Sequence, residues 1–210
     1  MHAADADSRW AIPLKTVEAI GMRIEGLAVV LVVAAGTWGQ DQEVAVHLVK
    51  GELVPLTVLL QAERTATWIF AGTGMKLKWS TGGKDGLFIQ FDAGLQEGFH
   101  PGALGYATPY AQTGTLIHVL VDRLRVPMSK PLAAALLGHV LAHELAHVLE
   151  ASTHHSEAGV MKARWDNRDL EQMSIRPLSF SAEDTASIQS GLAIVMARSI
   201  GSVVDVAGRQ

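Results

Sequence analysis

From Pro131 to Leu149 the chain is almost wholly Ala, Leu and Val with Gly138, and its only polar side chains are His139, His143, Glu144 and His147. A helical stretch that is apolar all round has to be covered on every side, so the rest of the chain must fold around it. Ser129 offers an N-cap and Pro131 a first-turn proline for such a helix. Histidines and a carboxylate buried there unpaired would each cost about 2–7 kcal/mol, and a metal ion satisfies several of them at once.

The polar residues include His143-Glu144-x-x-His147. Residues four apart stand about one turn apart on one helix face, so both imidazoles can grip a single zinc ion. Glu144 then lies beside the ion, where it can take a proton from the water that zinc activates. His139 lies one turn earlier on the same stripe. Because zinc in a catalytic site needs only one more protein ligand, His139 reads as a hydrogen-bonded core histidine or one that orients a ligand. For the third ligand the residues leave open His154, His155 and Glu171. Adjacent side chains in an extended stretch point in opposite directions, so only one of His154 and His155 can face the metal.

The sequence contains no cysteine, which excludes disulfides and thiolate zinc sites. A formal net charge of -4 gives no sign of a nucleic-acid or polybasic membrane partner. The segment Met22 to Gly39 reads as a secretory signal if translation starts at Met22, with Arg23 ahead of the apolar run Leu27 to Ala35 and small residues after it. That run is too short for a stable membrane span in the mature chain, and its competing reading is a buried Val-rich strand. Residues 1–39 are therefore expected to be an N-terminal extension with a signal peptide, and 40–210 the folded domain.

Within that domain, Glu43 to Val49 has strand alternation, Pro55 to Phe70 has helical spacing, and Met75 to Trp79 and Leu87 to Phe91 read as further strands. Asp92 to Gln112, rich in Gly with Pro101 and Pro109, reads as an ordered loop of functional length. In it, Gly105-Tyr106-Ala107 offers a place for substrate contact, Tyr106 and Tyr110 serve equally well as packing residues, and His100 reads as a solvated histidine. Thr115 to Val121 is a fourth strand, with His118 on one of its faces. Arg164 to Met173 is polar and reads as a short helix or an irregular turn. Ser181-Ala-Glu-Asp184 has the form of a capping box opening a last helix to about Ile200, with Ile188, Leu192, Val195 and Met196 inward. The order of elements predicts an α+β domain: a twisted sheet of four to five strands on a backing helix, a buried zinc-binding helix and a C-terminal helix.

The region from Gly138 to Leu170 resembles the metzincin zinc peptidases, in which an extended HExxH motif is followed by a third histidine and a tight turn carrying a methionine below the metal. On that resemblance His143, Glu144, His147, His155 and Met161 take these places. The run His155-Ser156, Gly159-Val-Met-Lys-Ala-Arg-Trp165 and Asp169-Leu170, with Gly105-Tyr106-Ala107 and Val121-Asp122, is similar to a group of small exported metzincin-like proteins of soil bacteria. Two positions depart from the metzincin pattern. Glu150 and Thr153 stand where the family has a glycine and its third ligand, and no tyrosine follows Met161.

The resemblance implies a secreted or periplasmic zinc metallopeptidase acting on a peptide or protein substrate, with Glu144 as general base and His143, His147 and His155 as ligands. The alternatives are a gluzincin-like peptidase with Glu171 as third ligand, and a non-catalytic zinc-stabilised binding domain. The sequence leaves the oligomeric state undetermined. If the export signal is read correctly, N-terminal sequencing of protein recovered from its native host begins between about Thr37 and Glu43, and a mature N-terminus at Met1 refutes it.

Overall fold

The computed structural model describes residues 42–83, 86–93, 103–108, 116–124 and 129–192. The expected signal segment, His100, Tyr110, Val195 and Met196 lie outside the described residues. The elements are β1 (Gln42–Val49), a 3-10 turn at Gly51–Leu53, α1 (Leu56–Ala71), β2 (Met75–Ser80), β3 (Leu87–Asp92), β4 (Gly105–Thr108), β5 (Leu116–Leu120), α2 (Val121–Leu124), α3 (Lys130–Glu150) and α4 (Asn167–Ile175). A further helix, α5, spans 182–192 of the described residues.

The strands form one five-stranded sheet in the order β2-β1-β3-β5-β4. β1 pairs in parallel with both β2 and β3, β3 pairs in parallel with β5, and β4 alone is antiparallel, against β5. Parallel neighbours cannot be joined by a tight turn, which is why α1 intervenes between β1 and β2. Alternation along the strands buries Val44, Val46, Leu48, Met75, Leu77, Ile89, Phe91, Ile117 and Val119 in one core with α1 and α3. The opposite side of β2 carries the exposed Lys76 and Lys78. The fold is α+β, as the order of elements predicts.

Two elements depart from the sequence reading. Asp92 to Gln112 was expected to be loop throughout, but β4 forms inside it. Four residues, two of them Gly105 and Ala107, are too few and too small to show a strand period, and the strand exists because β5 offers it a partner. The fourth strand, expected to reach Val121, stops at Leu120 and gives way to the single turn of α2. The polar stretch after Arg164 resolves into α4, capped reciprocally: Asp166 accepts from the Arg168 and Asp169 N–H groups, and Asp169 accepts from the Asp166 N–H. Ser181 and Asp184 make the same exchange at the head of α5, at 3.0 and 2.9 Å, and Ile188 and Leu192 face inward.

α3 is long and apolar enough to cross a bilayer, with mean hydropathy 1.5, yet 67% of that stretch is buried inside the domain, as in a core helix. Ser129 is its N-cap residue without a side-chain cap bond, and Pro131 sits in the first turn. Its closest neighbour is α1. A Cβ on Gly138 would stand 2.5 Å from Thr65 Cβ and 2.8 Å from the Ala62 carbonyl oxygen, so only glycine lets the two helices approach this far. Alanine at that place gains about 1 kcal/mol of helix propensity but pushes against backbone, an overpacking cost of about 1–3 kcal/mol. Gly138→Ala is therefore expected to unfold at lower urea than wild type; an equal or higher midpoint refutes this account of the contact.

A candidate metal centre

α3 ends at Glu150, and Ala151 follows in the left-handed region at φ 49°, a conformation costing a non-glycine residue about 1–2 kcal/mol. The reversal that this strain enforces brings residues 152–155 back beside the helix. His143, His147 and His155 then meet: each offers a ring nitrogen, and these atoms lie within 4.8 Å of one another. The His155 ring stands 5.3 Å from that of His143 and 4.9 Å from that of His147, centroid to centroid.

Backbone carbonyls decide which nitrogens face inward. His143 Nδ1 is 2.9 Å from Val160 O, and His147 Nδ1 is 2.9 Å from Ser152 O. A carbonyl only accepts, so both Nδ1 atoms carry the proton and both Nε2 atoms are left with bare lone pairs. Those lone pairs face each other at 3.0 Å. With no proton between them the contact is a repulsion rather than a hydrogen bond, and a shared cation turns it into an attraction. Two nitrogens at about 2.0–2.1 Å from one tetrahedral zinc stand about 3.3 Å apart, so the pair needs only a few tenths of an ångström to receive one. The residues fit the metal. Dehydration also keeps them ready for it: burial lowers the His143 pKa to about 4, and lowers those of His147 and His155 as well, so all three are neutral at pH 7.

Glu144 is 7% exposed and has no hydrogen-bond partner among the described residues. Burial raises its carboxyl pKa to about 7. Its neighbour is β4: a Cβ on Gly105 would stand 2.9 Å from Glu144 Oε1, so this glycine admits the carboxylate against the strand. Glu144 and the histidines open into a cleft of about 900 Å³ whose walls include Leu104, Ala107, Val140, Val148, Trp165 and Leu170. Gly105, Tyr106 and Ala107 all line it, in the stretch expected to meet substrate.

The other candidates lie elsewhere. His154, exposed, uses its backbone N–H on Ser152 Oγ, and Glu171 is exposed on α4; neither belongs to the histidine group. His118 hydrogen-bonds Asp92 through Nδ1 at 2.6 Å and stacks on Tyr106 at 4.5 Å, a face residue of β5. His139 is buried with both nitrogens bonded, and Met161 is fully buried beneath the turn. Glu150 has a buried Oε1 without a partner among the described residues, and burial with nearby Asp184 raises its pKa to about 7. The sequence reading missed the carbonyls of Ser152 and Val160, which carry no side-chain signal, and quoted Trp165 without a role, although it stands edge-on to His143 at 5.7 Å.

No protein-family model and no curated protein matches the chain. Among solved structures, the archaemetzincin of Methanopyrus kandleri is similar at 17% identity and a TM-score of 0.46, over 74% of this chain and 98% of that one. A likeness at this level leaves the site to be argued from its own geometry. If His155 completes the donor set, His155→Ala loses zinc affinity by about 10–100-fold or more, while His154→Ala and Glu171→Ala keep the metal. Zinc titration of the three variants checks this. Loss in His154→Ala with retention in His155→Ala reverses the assignment, and loss only in Glu171→Ala favours the gluzincin-like arrangement.

Proposed function

We propose that residues 40–210 form an exported, zinc-dependent peptidase of metzincin-like type. His143, His147 and His155 hold the ion, and Glu144 is the general base. The observation that carries this reading is the pair of Nε2 lone pairs 3.0 Å apart, with both Nδ1 protons committed to backbone carbonyls. Bound zinc supplies Lewis-acid chemistry, lowering the pKa of water and drawing electron density from a carbonyl oxygen.

The chain's own residues supply the proton transfers and the binding surface. Glu144 accepts the proton of the attacking water at a carboxylate oxygen and returns it to the departing amine nitrogen. Burial raises this carboxyl's pKa to about 7 in the metal-free site, and a cation bound beside it would lower that value, favouring the carboxylate form that accepts the proton. Gly105 contributes by having no side chain, since any Cβ would press on that carboxylate. The cleft of about 900 Å³, with apolar residues among its walls, has room for a stretch of peptide, which supports a peptide or protein substrate.

A purely structural zinc site closes its coordination with a fourth protein ligand. Among the described residues only three histidines converge, and the fourth side of the group opens to the cleft beside Glu144, which favours turnover over a zinc-stabilised binding domain.

Glu144→Ala is expected to purify with zinc bound and to lose about 10²–10⁴-fold in kcat on a peptide library. Exhaustive chelation of the wild type abolishes cleavage at every pH. Cleavage that survives chelation removes the metal from the reaction, and a Glu144→Ala protein without zinc makes Glu144 a ligand instead of a base.

A further inference from the structure

We propose that His139 is a positioning residue for the metal centre, orienting His143 through the backbone of residues 178–179 and 159–160; this rests on His143 being a zinc ligand. His139 is fully buried one helical turn before His143. Its Nδ1–H donates to Ala135 O at 2.7 Å, which leaves the Nε2 lone pair to accept the Leu178 N–H at 2.9 Å. The next residue, Ser179, accepts the Val160 N–H through its carbonyl at 3.2 Å. Val160 O in turn accepts the His143 Nδ1–H at 2.9 Å. The links leave α3 at His139 and return to it at His143, forming a closed ring.

That ring has little slack. The Gly159–Val160 peptide is held on both edges, its N–H by Ser179 O and its C=O by the Trp165 indole N–H at 3.1 Å. Gly159 adopts φ 78°, and a Cβ on it would collide with Ser179 O, so turn and strap touch backbone to backbone. Trp165 stands edge-on to both rings, 6.1 Å from His139 and 5.7 Å from His143. A leucine at 139 would occupy similar volume without dehydrating an imidazole. It would not offer an acceptor to Leu178, and the strap that fixes the Val160 carbonyl would lose its anchor on α3.

The experiment compares wild type, His139→Leu, His139→Gln and Trp165→Phe. Zinc affinity is measured by competition with a chromophoric chelator, the visible spectrum is recorded for the cobalt-substituted proteins, and thermal unfolding is followed alongside. His139→Leu should weaken zinc by about 10–100-fold, the range for groups that orient ligands, and should shift the cobalt bands. Glutamine places its amide oxygen about where Nε2 lies, so His139→Gln should recover most of the affinity and the wild-type spectrum. Trp165→Phe keeps an aromatic ring beside His143 but loses the indole N–H to Gly159 and part of the ring contact, and should weaken zinc by a smaller factor. If His139→Leu binds zinc within about twofold of wild type, whatever its melting temperature, His139 is only a core residue and the proposal fails. Should His139→Leu not fold, zinc binding by Trp165→Phe equal to wild type overturns it instead. Wild type that takes up no zinc overturns the metal-centre reading, and this one with it; zinc-binding wild type with unaffected variants overturns this one alone.

Discussion

The arrangement depends on two imidazoles, one helical turn apart, whose Nδ1 protons are drawn outward to carbonyls of the following segment. His143 gives its proton to Val160 O and His147 gives its proton to Ser152 O, so the inward nitrogens have nothing to share but a cation. Each carbonyl sits where it does because the chain turns back sharply at Ala151 and again at Gly159, both at positive φ. The strain at Ala151 is offset by the contacts its reversal permits, and Gly159 takes its positive φ without steric cost.

Dehydration is the second constraint. Embedding the motif in an apolar helix covered by α1, β4, β5 and α4 lowers the basicity of His143 and His147 and raises the pKa of Glu144, while partial desolvation lowers the basicity of His155 outside the helix. Both shifts have one cause, the removal of water: on the proposed reading the histidines would be neutral and so free to accept a metal, beside a carboxyl whose pKa is raised. Gly138 lets α1 and Gly105 lets β4 approach α3 closely, at positions where a single methyl group would not fit.

The edge strand shows how the two faces of the sheet are linked. On one side Gly105 abuts Glu144; on the other Tyr106 stacks at 5° on His118, which Asp92 grips at 2.6 Å while Gln90 holds the second oxygen of Asp92 at 2.7 Å. A strand of four residues would have little order of its own, and this clamp supplies it from neighbouring strands.

The apolar composition from Pro131 to Leu149 determined by itself that a buried helix would organise the domain. The four-residue spacing of His143 and His147 determined that both would share a face of it, because helix geometry is local. Strand alternation in β1, β2, β3 and β5 and the Ser181–Asp184 capping box were readable for the same reason. Tertiary structure decided the rest. Whether His154 or His155 turns toward the pair depended on the reversal at Ala151, and a left-handed alanine has no composition signal. The existence of β4 depended on a partner strand, and the proton positions on His143 and His147 depended on two carbonyls from residues 152 and 160. Those outcomes are set by contacts between segments far apart in the chain, whose energies no window of sequence contains.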